Sequence, residues 1–198
     1  MKKLLYLLLL ISFVSFSQTA TEHLKNGFDK YDLKDYYGAI TDFTKAIEIN
    51  PNNYISYVAR GIVKRELKDY YGAIADYTKA IEINPNNAIS YGDRGICKSG
   101  LGDKKGAIAD FTKAIEINPN NTNDYFNRGF AKAGLEDTYG AIADYTKAIE
   151  INPNSAKAYY RRGLEKYRLR DKNGSCQDAR KAQQLGYDSA RFINTVCN

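Results

Sequence analysis

A string of sixteen residues constrains this chain more than any other feature, because it occurs four times at a constant interval. GAIADYTKAIEINPNN spans residues 72–87, and close copies begin at positions 38, 106 and 140. All the prolines of the protein obey the same interval: Pro51, Pro85, Pro119 and Pro153. A chain with this regularity is an array of equivalent structural units rather than one irregular domain.

The pattern predicts two helices in each unit. Between residues 73 and 83 the apolar side chains recur at the spacing of one helical face, and Pro85 ends that helix. The preceding helix, over residues 54–67, carries a glycine whose position recurs in all five units: Gly27, Gly61, Gly95, Gly129 and Gly163. Glycine inside a helix costs about 1 kcal/mol relative to alanine, so we expect the helix that carries Ala80 and its counterparts to approach closely there. Each unit is therefore a helix–turn–helix hairpin that must stack on its neighbours to bury its apolar face.

The residues at the recurring positions resemble the tetratricopeptide repeat. In one unit the matching residues are Tyr57, Gly61, Ala73, Tyr77, Ala80 and Pro85. The resemblance implies an all-α, right-handed superhelical solenoid of five helix–turn–helix repeats, at about residues 20–53, 54–87, 88–121, 122–155 and 156–188. Residues 189–197 place apolar side chains on one side and are expected to form a C-terminal capping helix. Where the family usually has leucine before the helix glycine, this chain has arginine: Arg60, Arg94, Arg128 and Arg162.

The amino terminus has the pattern of a secretory signal peptide. Two lysines at positions 2 and 3 precede a nearly continuous apolar run over residues 4–16, which is too short to span a bilayer as a helix. Ser15 and Ser17 are small residues with the spacing that signal peptidase prefers. We expect a signal peptide over residues 1–17 and an exported mature chain, 18–198, in the periplasm or secreted; the alternative is an uncleaved membrane anchor.

The net charge of +6 is concentrated at one end of the chain. Residues 156–198 hold 10 basic and 4 acidic residues, whereas residues 18–155 hold 17 basic and 19 acidic residues. This distribution differs from the diffuse basic surface of a nucleic-acid-binding protein.

The cysteines predict one disulfide. Cys176 and Cys197 are expected at equal distances from the turn that joins the last long helix to the capping helix, so a bridge is geometrically reasonable. Export to an oxidising compartment would permit it; the alternative is two independent buried thiols. Cys97 is expected to be a small core residue, and His23, the only histidine, a surface residue.

An arginine column and an aspartate column follow the same period. Arg60, Arg94, Arg128 and Arg162 recur in the first helices, and Asp42, Asp76, Asp110, Asp144 and Asp178 recur in the second helices. Arginine binds carboxylates through two parallel hydrogen bonds. The columns therefore predict a ladder that joins neighbouring helices; the alternative is a stripe that binds anions.

The family resemblance implies that the first helices line a concave groove where a partner binds. The residues predicted to contact the partner are Val58, Ile62, Ile96, Phe126, Asn127, Phe130, Lys157, Tyr160 and Arg161. Three of them, Asn127, Lys157 and Arg161, match positions of the carboxylate-clamp subfamily. Gly92 and Ile96 occupy the two other clamp positions, so only a general preference for an acidic segment is expected.

These features favour a non-catalytic scaffold that binds another polypeptide. No paired nucleophile and base, phosphate-binding loop or metal-ligand spacing is present in the sequence, so we expect no enzymatic activity, no cofactor and no metal. Glu165 and Asp171 are isolated carboxylates. The alternative function is binding of a nucleic acid or an anionic surface through the basic C-terminal repeat, although acidic residues dilute its charge.

Overall fold

The computed structural model describes residues 19–197, and in that range the chain contains helices and no strand. The first helix, α1, covers residues 19–32. Ten further helices follow: α2 (Tyr36–Ile49), α3 (Tyr54–Glu66), α4 (Tyr70–Ile83), α5 (Ala88–Gly100), α6 (Lys104–Ile117), α7 (Thr122–Ala133), α8 (Thr138–Ile151), α9 (Ala156–Arg168), α10 (Lys172–Gln184) and α11 (Ala190–Val196). The predicted all-α fold of paired helices is confirmed. The predicted signal peptide lies outside the described residues, and none of the helices within them has the length and apolar character that a bilayer crossing requires.

An aspartate fixes the start of each second helix. In α2, for example, the Asp35 side chain accepts a hydrogen bond from the backbone N–H of Gly38, at 3.0 Å. A β-carbon on Gly38 would lie 2.0 Å from an oxygen of that carboxylate, so the cap requires glycine three residues later. The same pair recurs at Asp69, Asp103, Asp137 and Asp171, which explains the first residue of the repeated GAI sequence.

Two of the glycines inside the first helices, Gly61 and Gly129, each accommodate an aromatic ring of the second helix. A β-carbon on Gly61 would lie 2.8 Å from the Tyr77 ring, and one on Gly129 would lie 3.0 Å from the Tyr145 ring. The expected close approach of the helix that carries Ala80 is confirmed. The bulky aromatic residue of the second helix fills the space, because its ring points straight at the first helix, and the small Ala80 does not.

The described chain divides into two compact units, residues 19–97 and 98–197. In unit 1, one buried cluster is centred on Phe43 and Val63, and another on Tyr77 and Cys97. In unit 2, a buried cluster joins α8 to α9 through Ala148, Ile149 and Ala158. Each cluster contains residues from successive helices, as expected for stacked hairpins.

The predicted ladder of arginines and aspartates is present. Arg60 donates to both carboxylate oxygens of Asp76, at 3.0 and 2.6 Å, and its remaining nitrogen donates to the Thr44 hydroxyl of the preceding repeat, at 3.0 Å. Lys64 adds a second cation, 2.8 Å from Asp76. In unit 2 the arrangement recurs around Asp144 and Asp178. Because each of these arginines binds two successive second helices, it ties one repeat to the next.

The last helix closes the C-terminal end of unit 2. α11 is joined to α10 by a disulfide between Cys176 and Cys197, whose Cα atoms are 5.1 Å apart. Val196 is buried, and the Ser189 hydroxyl donates to the carbonyl of Ala179. The Phe192 ring packs edge-on against two tyrosines of α9, so α11 covers the apolar surface of the final hairpin.

Candidate functional site

The predicted groove residues of unit 1 are partly occupied by packing. Val58 is half-buried and contacts the clusters around Ala80 and Tyr77. Ile62 is half-buried against the Tyr77 cluster, and Ile96 is also half-buried. These side chains leave only part of their surface for a partner.

In unit 2, the predicted residues separate into distinct surroundings. The Phe126 ring is half-buried, with its centre 5.6 Å from that of Tyr145. Tyr160 lies under the C-terminal cap, with ring centres 4.6 Å from Tyr187 and 5.5 Å from Phe192. Asn127 is half-buried and Lys157 is exposed.

The structure brings two of the predicted residues together at a cavity. The ring of Phe130, 46% exposed, lies under the guanidinium of Arg161, whose central carbon is 4.9 Å from the ring centre. Beside them is a cavity of about 210 Å³, which is also lined by Ser99, Lys104, Ala131, Ala133, Gly134, Tyr145, Glu165 and Arg168. An adjoining, more open depression of about 530 Å³ shares Ala133, Gly134 and Arg168 with it. We call the smaller cavity, with these lining residues, the Arg161 site.

The side chains of the Arg161 site carry more positive than negative charge. Glu165 is only 4% exposed, and both of its carboxylate oxygens accept hydrogen bonds from Arg168, at 3.1 Å. The ammonium group of Lys104 donates to the carbonyl of Gly134 at 2.6 Å. Among the described residues, no carboxylate pairs with Arg161. Three cations therefore face one carboxylate, and that carboxylate already has a partner.

A buried hydroxyl also belongs to this site. Tyr145 is fully buried, and its hydroxyl oxygen has no hydrogen-bond partner within residues 19–197. Burial raises the pKa of Tyr145 above the usual range for tyrosine, so the hydroxyl keeps its proton and remains a donor. A buried polar group without a partner costs free energy, and a ligand that supplied an acceptor would recover it.

The remaining chemistry of the described residues is limited. No group of histidine, cysteine and carboxylate side chains in that part of the chain is arranged to hold a metal ion. Cys97 is buried, and burial raises the pKa of its thiol to about 12, which makes it a poor nucleophile at neutral pH.

The residues that supply the other charges and the buried hydroxyl of the Arg161 site are not among the predicted groove residues: Lys104, Tyr145, Glu165 and Arg168. One signal was available. Glu165 stands at a position where the preceding repeats have Val63, Cys97 and Ala131, all of which are buried. A carboxylate that interrupts a column of small apolar residues indicates a polar site.

Profiles described as tetratricopeptide repeat match residues 30–53, 54–87 and 76–109, and one described as TPR repeat matches residues 137–169. The chain belongs to the tetratricopeptide-repeat family. No curated protein sequence matches it.

Solved structures of other tetratricopeptide-repeat proteins have similar folds. MamA from Desulfovibrio magneticus RS-1 is 18% identical, with a TM-score of 0.80, over 84% of this chain and 94% of that one. YrrB, described as a TPR protein with an unusual peptide-binding site, is 20% identical, with a TM-score of 0.76, over 87% and 90%. The first TPR of Spaghetti (RPAP3), bound to the HSP90 peptide SRMEEVD, is 24% identical, with a TM-score of 0.60, over 61% and 95%.

Proposed function

We propose that this protein is an exported, non-catalytic scaffold that binds a segment of another polypeptide through the first helices of unit 2. The observation that carries the proposal is the Arg161 site. There, an exposed aromatic ring lines one cavity together with an arginine that no described carboxylate engages and with Tyr145, whose buried hydroxyl has no hydrogen-bond partner among the described residues. Apolar surface with a few converging polar groups is typical of ligand sites.

The constancy of the second helices supports this assignment. α4 and α8 have the sequences YYGAIADYTKAIEI and TYGAIADYTKAIEI, whereas α5, α7 and α9 differ at most positions. The second helices supply the aspartates of the ladder and the aromatic rings that fill the hairpins, so their sameness has a structural cause. Variation is concentrated in the first helices, two of which, α7 and α9, carry Phe130 and Arg161. Two similar folds are described as having a peptide-binding site or a bound peptide, which is consistent with a polypeptide partner.

The alternative, binding of a nucleic acid or an anionic surface by the basic C-terminal repeat, has less support. Arg162 and Lys166 both pair with Asp178, and Arg168 pairs with Glu165. These three cations already engage carboxylates within the fold. A steep fall of nucleic-acid affinity with rising salt concentration would favour the alternative.

Photocrosslinking in the native host tests the proposal. A photoreactive amino acid replaces Phe130 in the full chain, and a matched variant carries it at Lys147, an exposed position of α8 in the same unit. We expect Phe130 to capture one dominant polypeptide and Lys147 not to capture it. Equal capture at both positions, or none at Phe130, would contradict the assignment.

Export is tested separately by fractionation of the same cells. We expect the mature chain, without residues 1–17, outside the cytoplasm. Full-length chain that remains in the cytoplasm would contradict export and leave the binding proposal intact.

A further inference from the structure

Unit 1 contains a set of residues at repeat positions equivalent to those of the Arg161 site, so the two sets can be compared. Tyr77 and Tyr145 are the same residue of the repeated string, in the copies that begin at positions 72 and 140. Both rings are fully buried, in α4 and α8 respectively. The residues that face each tyrosine, one from the first helix of its own hairpin and two from the first helix of the next, can therefore be compared directly.

Around Tyr77 these residues form a closed arrangement. Arg65, from α3, donates to the carboxylate of Asp93, from α5. Cys97, one helical turn after Asp93, completes the buried cluster. Burial raises the pKa of Asp93, and the adjacent Arg65 guanidinium offsets part of that rise.

Around Tyr145 the equivalent positions carry the opposite charge and leave a space. Arg161, from α9, stands where unit 1 has Asp93, and Ala133, from α7, stands where unit 1 has Arg65. Ala133 lines the cavity, and its side chain is too short to fill the space as the longer Arg65 side chain can in unit 1. The charge facing that volume is positive.

The surroundings of Tyr77 and Tyr145 differ in whether the neighbouring volume is filled and in the charge that faces it, and not in the tyrosine hydroxyl itself. The Tyr77 hydroxyl also makes no hydrogen bond of ordinary geometry within the described residues, but the Asp93 carboxylate lies beside it and is paired with Arg65. Of the two tyrosines, only Tyr145 lines the cavity beside Arg161.

We infer that the Arg161 site binds a carboxylate group of the partner polypeptide. The bound carboxylate would take the place that the Arg65 guanidinium has in unit 1, and Arg161 would take the place of Asp93, so that the positive and negative partners are exchanged. The inference rests on the proposed function and names the group that the site recognises. The carboxylate accepts hydrogen bonds from the Arg161 guanidinium and the Tyr145 hydroxyl. Lys104 adds positive charge to the wall.

The neighbouring groups are compatible with an anion. Glu165 also lines the cavity, but its two oxygens are engaged by Arg168. The volume of about 210 Å³ equals that of about seven water molecules in the liquid, which is enough for an acidic side chain or a chain terminus. The Phe130 ring borders the cavity and provides an apolar surface for the next residue of the segment.

The site differs from the carboxylate clamp. Neither Asn127 nor Lys157 lines the cavity, and Gly92 and Ile96 replace the two other clamp residues. The other side chains that could reach an anion come from positions outside the clamp: Lys104, Tyr145 and Arg168. The recognition is therefore built from a different set of side chains around Arg161.

Selection from random heptapeptides tests the inference with the purified full chain. One library has free carboxyl termini and a second has amidated termini. We expect peptides with an acidic residue beside an apolar one to be enriched from both libraries if a side chain supplies the carboxylate, and only from the first if the terminus does. Enrichment of apolar peptides without any carboxylate preference would overturn this inference while supporting a polypeptide-binding groove. Enrichment of nothing would overturn the proposed function and the inference with it.

A mutant cycle then assigns the preference to Arg161. For the best peptide, replacement of the carboxylate by an amide should weaken binding to the wild type about tenfold or more. In Arg161→Gln the same replacement should change affinity less than about twofold, because the charge that distinguishes acid from amide is gone. The control, Lys147→Gln, removes a positive charge elsewhere in unit 2 and should keep the tenfold difference, and circular dichroism verifies that both variants are folded. An undiminished acid preference in folded Arg161→Gln would contradict the assignment.

Discussion

The surroundings of Tyr77 and Tyr145 differ although the helices that carry them are almost identical. In unit 1 an arginine and an aspartate from the first helices close the space beside the tyrosine. In unit 2 an alanine and an arginine with no carboxylate partner in the described chain leave it open. The difference shows how a repeat protein can acquire a site. The second helices, the ladder and the aspartate caps maintain the fold in both units, so a few substitutions in the first helices can create a cavity without a new structural element.

The surroundings of Tyr77 and Tyr145 should differ most in how much their arginine contributes to the stability of the fold. Arg65→Ala leaves the half-buried carboxylate of Asp93 without its arginine partner and should lower the free energy of unfolding by about 3 kcal/mol. Arg161→Ala removes a cation that no described carboxylate engages, so its effect should stay within about 1 kcal/mol. Urea denaturation of both variants measures the difference. Equal losses of stability in the two variants would contradict the description of a closed ion pair beside Tyr77 and of an arginine beside Tyr145 that no described carboxylate engages.

A transplant sharpens the comparison. The double variant Ala133→Arg with Arg161→Asp places the Arg65 and Asp93 pair of unit 1 into unit 2. We expect a coupling free energy of about 1–2 kcal/mol between the two substitutions in a double-mutant cycle, together with loss of peptide binding because the cavity is filled. Additive effects would mean that the two positions do not meet in unit 2 as they do in unit 1.

The hydroxyl groups provide a smaller test. Tyr145→Phe removes a buried hydroxyl that has no partner among the described residues, so stability should not fall, and it should rise by up to about 1 kcal/mol. The affinity for the selected acidic peptide should fall about fivefold, since one hydrogen bond to the ligand is lost. Tyr77→Phe is the matched control and should leave peptide affinity unchanged, as measured by isothermal titration calorimetry. A loss of affinity in Tyr77→Phe as well would place the ligand elsewhere.

The smallest effect concerns Cys97, which occupies in unit 1 the position that Glu165 occupies in unit 2. With a pKa of about 12, its thiol remains protonated across the neutral range. Raising the pH from about 7 to about 9 should therefore produce no labelling of the folded protein by a thiol reagent, whereas the protein in denaturant should be labelled readily. Rapid labelling of the folded chain at the lower pH would show that the Tyr77 cluster opens to solvent.

The periodic features of this fold could be predicted from the sequence, because each repeat is an independent observation of the same structure. The paired helices, the close approach at Gly61 and the arginine–aspartate ladder all follow from positions that recur at the interval of the repeated string. The side chain that meets Gly61, Tyr77, could not be predicted in the same way, since spacing shows which helix approaches and not where each of its side chains points.

The Arg161 site could be predicted only in part. Phe130 and Arg161 follow from the groove positions of the family, but Lys104 lies at the start of a second helix, and Tyr145 has the appearance of an ordinary core residue. These residues line one cavity because the short side chain of Ala133 leaves space between them. Small first-helix residues such as Ala133 do indicate a wide groove, but which side chains surround the open space is visible only when they are placed.

The most direct test of this account is a crystal structure of the full chain with the segment captured by crosslinking at Phe130. We predict that the segment lies along the first helices of unit 2, packs against Phe130 and places a carboxylate against Arg161 and the Tyr145 hydroxyl. A segment bound to the outer surface of the second helices, with the cavity beside Ala133 unfilled, would contradict it.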